Sequence, residues 1–331
     1  MKRGTGNGER GIAVPGGLPV RGDASFLAPG SSIPASDGLV PGLPELIALR
    51  RLASRGIDPR RGRRGVVGRA VAVQRGRGME YAESREYVAG DDARHIDWKL
   101  SARTGFTHTK TFQSERERVS LIVADTAPAL YFGTRVRFKS VQAARAGAVA
   151  AWSALRDGDR VAALCDGGQG GLVPPTGGTR GVLRVLDALA RWYRAPPPAG
   201  GSGLQAALEQ ATRVLHPGAR ALVLADPASA LAVAPAVWSA LSMHVDVRLL
   251  LLVDPLELEP PNCVLPLSTP QGRMQLDLAA MPAREAWDAA FVAPVEALCG
   301  SLRGRRIRVQ VLSSDDASDA WLAAGPTRGA R

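Results

Sequence analysis

Three apolar runs of the sequence each end in an aspartate. Residues 119–125 read VSLIVAD, residues 221–226 read ALVLAD and residues 248–254 read RLLLLVD, so Asp125, Asp226 and Asp254 close three β-rich segments. In sheets of parallel strands, ligands bind beyond the carboxyl ends of the strands. Carboxylates there are hard oxygen donors of the kind Mg²⁺ takes in a near-octahedral shell. The placement therefore predicts a metal or phosphate site at one end of a sheet. A plainer reading is open at the same residues. Asp226-Pro227 and Asp254-Pro255 also fit helix caps, in which the carboxylate accepts from backbone N–H groups of the following turn.

Other chemistry finds no residues. No phosphate-loop GxxxxGKS or GxxxxGKT occurs, and no GxSxG or HExxH. The histidines at 95, 108, 216 and 244 lack metal-ligand spacing, although His95 and Asp97 would share a face of an extended segment. Cys165, Cys263 and Cys299 are odd in number and widely spaced, which fits reduced thiols better than a disulfide framework or a zinc site. Nothing pairs a nucleophile with a base, so no enzymatic activity is expected.

A second set of residues is denser. Arg85, Asp91, Asp92, Arg94, Asp97 and Arg103 alternate in sign along a short stretch, with Tyr87 and Trp98 among them. Such a set can form a paired network that pins an irregular segment onto the sheet. It can equally form a partner-binding surface, because Arg, Tyr and Trp dominate interface hot spots.

Charge is unevenly distributed. The chain of 331 residues carries a formal charge of +11, and residues 1–79 hold 14 Lys or Arg against 5 Asp or Glu, a local excess of +9. Ten arginines fall within residues 50–77 against the single acid Asp58. A phosphate-rich partner such as nucleic acid is one reading. The absence of aromatic side chains between those arginines weakens it. Only four lysines occur in the chain, and Ala, Gly and Arg are abundant throughout, which points to compositional bias as the plainer account.

These residues need elements to position them. Residues 1–41 are rich in Gly, Pro and Ser and read as a flexible tail. Pro44, the Leu46, Leu49 and Leu52 stripe and Gly56 mark a short helix. Residues 65–88 read as one or two short strands outside the main core. Strands are expected at 119–125, 160–165, 219–226, 245–254 and 306–312, and helices at 139–156, 181–193, 203–215 and 283–302. Strands alternating with helices predict an α/β fold with a mostly parallel, doubly wound sheet. The longest apolar run, 249–253, is too short to span a bilayer, and the amino terminus lacks the apolar core of a signal peptide, so a cytoplasmic protein is expected.

One segment carries a specific resemblance. Ser84-Arg85-Glu86-Tyr87-Val88-Ala89-Gly90-Asp91-Asp92-Ala93-Arg94-His95-Ile96-Asp97-Trp98, followed by Ser101-Ala102-Arg103, closely resembles the signature of the domain-of-unknown-function 58 family. Glu115, the turn Gly158-Asp159-Arg160-Val161 and the segment Asp254-Pro255-Leu256-Glu257 agree with it, and the likeness extends over about residues 43–320. The resemblance implies a von Willebrand factor A-like core over residues 118–322. It implies an Arg-rich, β-containing extension carrying the signature over 42–117, with tails at 1–41 and 323–331. Such cores carry a metal-ion-dependent adhesion site. Here Asp125 keeps its first aspartate, Ser202 takes the place of a threonine and Asp226 that of the last aspartate, while both serine positions of the first motif, Ala127 and Ala129, are alanine. Weak or absent Mg²⁺ binding follows. The family further implies an interaction module that acts with a MoxR-type AAA+ ATPase in assembling or activating a client protein. Apolar helices precede the signature in longer members. A polar tail stands there in this chain, which implies a soluble form.

Overall fold

In a computed structural model, the structure describes residues 37–53, 79–114, 118–165, 171–195, 203–269 and 272–323. Most of the expected tails, Ser202, Glu115 and the arginine-rich stretch beyond Arg51 lie outside the described residues.

The core is a six-stranded sheet. Its strands are β3 (Val119–Ala124), β4 (Arg160–Cys165), β5 (Leu172–Thr176), β6 (Arg220–Ala225), β7 (Asp246–Val253) and β10 (Arg308–Ser313), in the order β10-β7-β6-β3-β4-β5. All neighbours are parallel except β5, which runs antiparallel to β4 at the edge. The expected α/β class and mostly parallel sheet are therefore present. β5 contains Pro174 and Pro175, which remove ladder donors and are tolerated at an edge. That is why its sequence does not read as a strand.

The central strands alternate between two apolar layers. Ile122 and Ala124 enter one buried cluster, and Leu121 and Val123 enter the other. A strand covered on both faces has no polar side, which explains the continuous apolar runs. One layer is closed by α1 (Leu43–Ala48), α4 (Lys139–Arg156) and α5 (Gly178–Trp192), through Leu46, Val149 and Leu186. The other is closed by α6 (Gly203–Val214), α8 (Pro235–Ser242) and α11 (Ala293–Arg303), through Leu208, Trp238 and Leu298. The short helix ahead of the arginine-rich stretch thus packs into the core: Leu46 and Leu49 are fully buried, and Trp152 of α4 donates to the Leu46 carbonyl at 3.2 Å. It continues as α2 (Arg50–Ala53), where the Arg50 guanidinium stacks 5.4 Å from the Trp152 ring centroid. Gly147 eases the close approach of α4 to α5, because a Cβ there would lie 2.9 Å from Leu189 Cδ1, which would have to shift.

Two antiparallel hairpins complete the described structure. β1 (Met79–Glu86) pairs with β2 (His108–Ser114), and between them lie a 3₁₀ turn at Ala93–His95 and α3 (Trp98–Thr104). β8 (Val264–Thr269) pairs with β9 (Gly272–Asp277). Short helices α7 (Pro227–Ala232) and α9 (Pro255–Leu258) follow β6 and β7. The expected last helix is α10 (Met281–Trp287) joined to α11 through a π turn at Asp288–Val292. No helix among the described residues is long and apolar enough to cross a membrane.

Candidate functional site

The strand order reverses between β3 and β6, which is where a crevice opens in a doubly wound sheet. Asp125 follows β3 and Asp226 follows β6, so the two aspartates meet at that point. Asp125 Oδ2 accepts from the Asp226 N–H at 3.0 Å and Oδ1 from the Ala127 N–H at 2.9 Å. Asp226 caps α7, its Oδ1 accepting from the Ala228 N–H at 2.9 Å. Asp254, fully buried, caps α9 and forms a capping box with Glu257. Its oxygens also accept from the Thr134 hydroxyl at 2.5 Å, the Thr134 N–H at 3.0 Å and the Ser314 hydroxyl at 2.7 Å. The plainer expectation thus describes Asp226 and Asp254: both are helix caps.

A cation already sits among these carboxylates. Lys139, 1% exposed, donates to Asp226 Oδ2 at 2.8 Å and to Glu257 Oε1 at 2.6 Å. Burial opposes its charge, but attraction from Glu257 and Asp226 outweighs burial and holds the ammonium above its ordinary pKa. Burial pushes the Glu257 carboxyl up, against the pull of Lys139. Burial would also raise Asp254, yet hydrogen bonds from Thr134, Ser314 and the Leu256 N–H leave it below the usual carboxylate range. Asp125 and Asp226 use both oxygens on N–H or ammonium donors. No group of three or more His, Cys, Asp or Glu among the described residues is arranged to hold a metal ion. Asp125 and Asp226 come together, and Ser202 lies outside the described residues.

Sequence reasoning missed Lys139. A signal was present. Lys139 opens α4, and a cation in the first turn of a helix faces the positive end of the dipole. A buried lysine there needs carboxylates from elsewhere, which the ends of β6 and β7 supply.

The signature residues form a separate unit on the first hairpin. Arg85 pairs with Asp91 at 2.6 Å, and Asp91 Oδ2 accepts from the Val88 N–H at 3.0 Å, closing the turn that Gly90 makes at φ +108°. Burial of Asp91 is slight, and these bonds, the Val88 N–H first, lower its carboxyl. Asp92 caps the 3₁₀ turn through the Arg94 N–H at 3.0 Å. Asp97 caps α3 through the Leu100 N–H at 3.1 Å and accepts from the Ser84 hydroxyl at 3.2 Å. Ile96 bridges Thr109 on the edge of β2 opposite β1. His95 lies in the 3₁₀ turn and Asp97 caps the next helix, so the two do not form an extended pair. The described part of this network ties the segment to its own hairpin. The described bonds join residues 84–109 to one another. Tyr87, Trp98, Arg94 and Arg103 remain exposed.

A family model described as "Protein of unknown function DUF58" matches residues 83–292, well over half of the chain. An uncharacterized protein of Mycobacterium tuberculosis (strain ATCC 25618 / H37Rv) is 29% identical over 192 residues, covering 56% of this chain. An uncharacterized protein of Mycobacterium bovis matches at the same identity and extent. The chain spans 59% of the length of these curated relatives. No solved structure matches it.

Proposed function

The chain belongs to the DUF58 family, and from that premise we propose that it is a non-enzymatic interaction module that acts with a MoxR-type AAA+ ATPase in assembling or activating other proteins. The observation that carries this reading is the exposure of the signature hairpin. Trp98 is 72% exposed although Trp is among the most highly buried residue types on average. The signature also exposes Tyr87, Arg94 and Arg103, of the types that anchor interfaces. The reading draws further support from the ends of the strands, where Asp226, Asp254, Glu257 and Lys139 satisfy one another. The mostly parallel sheet with helices on both faces is compatible with a von Willebrand factor A-like core, and the ATPase partner rests on the family resemblance. On this reading the chain works in the cytoplasm.

The test uses the purified full chain and the MoxR-type ATPase of the same host, mixed with ATP, with ADP and without nucleotide. A saturable complex in at least one state is expected. No complex in any of the three would contradict the proposal.

Metal-dependent ligand binding at Asp125, Ser202 and Asp226 is a second reading, favoured by the hydrogen bond that brings the two aspartates together. The ammonium of Lys139 against Asp226 weighs the other way.

A further inference from the structure

The end of the signature hairpin that leads into α3 exposes large apolar side chains. The Tyr87 N–H donates to the Thr107 carbonyl at 2.8 Å, which extends the Glu86–His108 register and places Val88 across from Phe106. On the other edge of β2 the Asp97 N–H donates to the His108 carbonyl at 2.8 Å, so Trp98 begins α3 at the same end. Adjacent strands lie about 4.8 Å apart, which brings these positions within a few strand spacings of one another. Trp98 is 72% exposed, Phe106 67%, Val88 60% and Tyr87 37%.

The aspartates of the same unit are engaged, and among its cations Arg85 pairs with Asp91. Asp91, Asp92 and Asp97 accept hydrogen bonds from the hairpin itself. Lys99 and Arg103 do not pair with a carboxylate among the described residues. They stand four positions apart on α3, and with Trp98 and Ala102 they form its exposed face, while the Ser101 hydroxyl accepts from the His108 N–H at 2.8 Å on the face toward β2. Like charges at that spacing destabilise a helix slightly. A carboxylate brought by a partner would relieve the repulsion.

We propose that this end of the hairpin docks an acidic segment of a partner protein, whose apolar side chains seat on Trp98 and Phe106 and whose carboxylates meet Lys99 and Arg103. The proposal rests on the interaction-module reading and adds the chemistry of the contact. A protein suits the surface better than an anionic bilayer. Lipid recognition by charge takes clusters of about four to eight basic residues. The exposed face of α3 offers two, Lys99 and Arg103.

The test compares the full chain with the Lys99→Glu/Arg103→Glu and Trp98→Ala variants. All three positions are exposed, so thermal unfolding should be unchanged. The probes are a labelled amphipathic Glu/Leu peptide, its Lys/Leu counterpart, phosphatidylglycerol vesicles and the host ATPase. Saturable binding of the Glu/Leu peptide is expected, weakened roughly tenfold or more by either variant, as loss of a hot-spot contact would give. Binding that neither variant alters, equal binding of the Lys/Leu peptide, or binding only to vesicles would overturn the proposal. An ATPase complex indifferent to both variants would overturn the docking inference and leave the functional reading standing. Peptide binding that depends on these residues without any ATPase complex would do the reverse.

Discussion

Lys139 bears the most structural consequence of any single residue. It is one of four lysines in the chain and is buried against two carboxylates. Replacing one partner of a buried ion pair leaves the others uncompensated and typically costs about 3–5 kcal/mol. Lys139→Ala should therefore lower stability by roughly that amount in denaturant titration. Adding Asp226→Asn and Glu257→Gln should recover part of the loss, because no unpaired charge then remains buried. A loss below about 1 kcal/mol would show that the triad contributes no more than a surface pair. The pH dependence has a definite sign. The ammonium is held above its unfolded value of about 10.4. Its contribution is thus complete below that value and disappears as pH rises through the higher folded value, and Lys139→Ala should lack this alkaline loss.

Elements were legible in the sequence where a continuous apolar run or a helical stripe set them. The 139–156 helix and the 160–165 strand fall on the expected residues, and β3, β6 and β7 end within a residue of expectation. β2, β5, β8 and β9 were not legible, for physical reasons. β2 is held by backbone pairing within a small hairpin and needs no apolar run, β5 is interrupted by two prolines, and most described residues of β8 and β9 face solvent on both sides. Proline suits the first turn of a helix, and both α7 and α8 begin on one, Pro227 and Pro235. At the site, the aspartates were legible as a set at strand ends. The caps at Asp226 and Asp254 were legible too, from the prolines that follow them; Lys139 was not, because its contacts join residues more than eighty positions apart. The first helix tests the same physics. Leu46 is fully buried in the layer formed with α4 and α5. Leu46→Ala should cost about 2–5 kcal/mol, the range for a fully buried leucine. A cost under about 1 kcal/mol would mean that α1 is not part of the core.

The molecule as a whole divides its charged residues by task. Those at the carboxyl ends of the strands bind one another and tie together segments distant in sequence: Lys139 to Asp226 and Glu257, and Asp254 to Thr134 and Ser314. Asp159 does the same at the opposite end of the sheet, accepting from Arg118 and from the Ser120 hydroxyl at 2.6 Å. The described side-chain bonds of the signature residues join residues 84–109, and Trp98, Phe106, Lys99 and Arg103 are exposed. On the proposed reading, partner recognition belongs to this hairpin and not to the ends of the strands. Hydrogen exchange of the full chain, with and without the host ATPase, tests it most directly. Protection on complex formation is predicted across residues 87–106, with little change at Asp125, Asp226 and Asp254. Protection confined to those strand ends, with the hairpin unchanged, would contradict the claim.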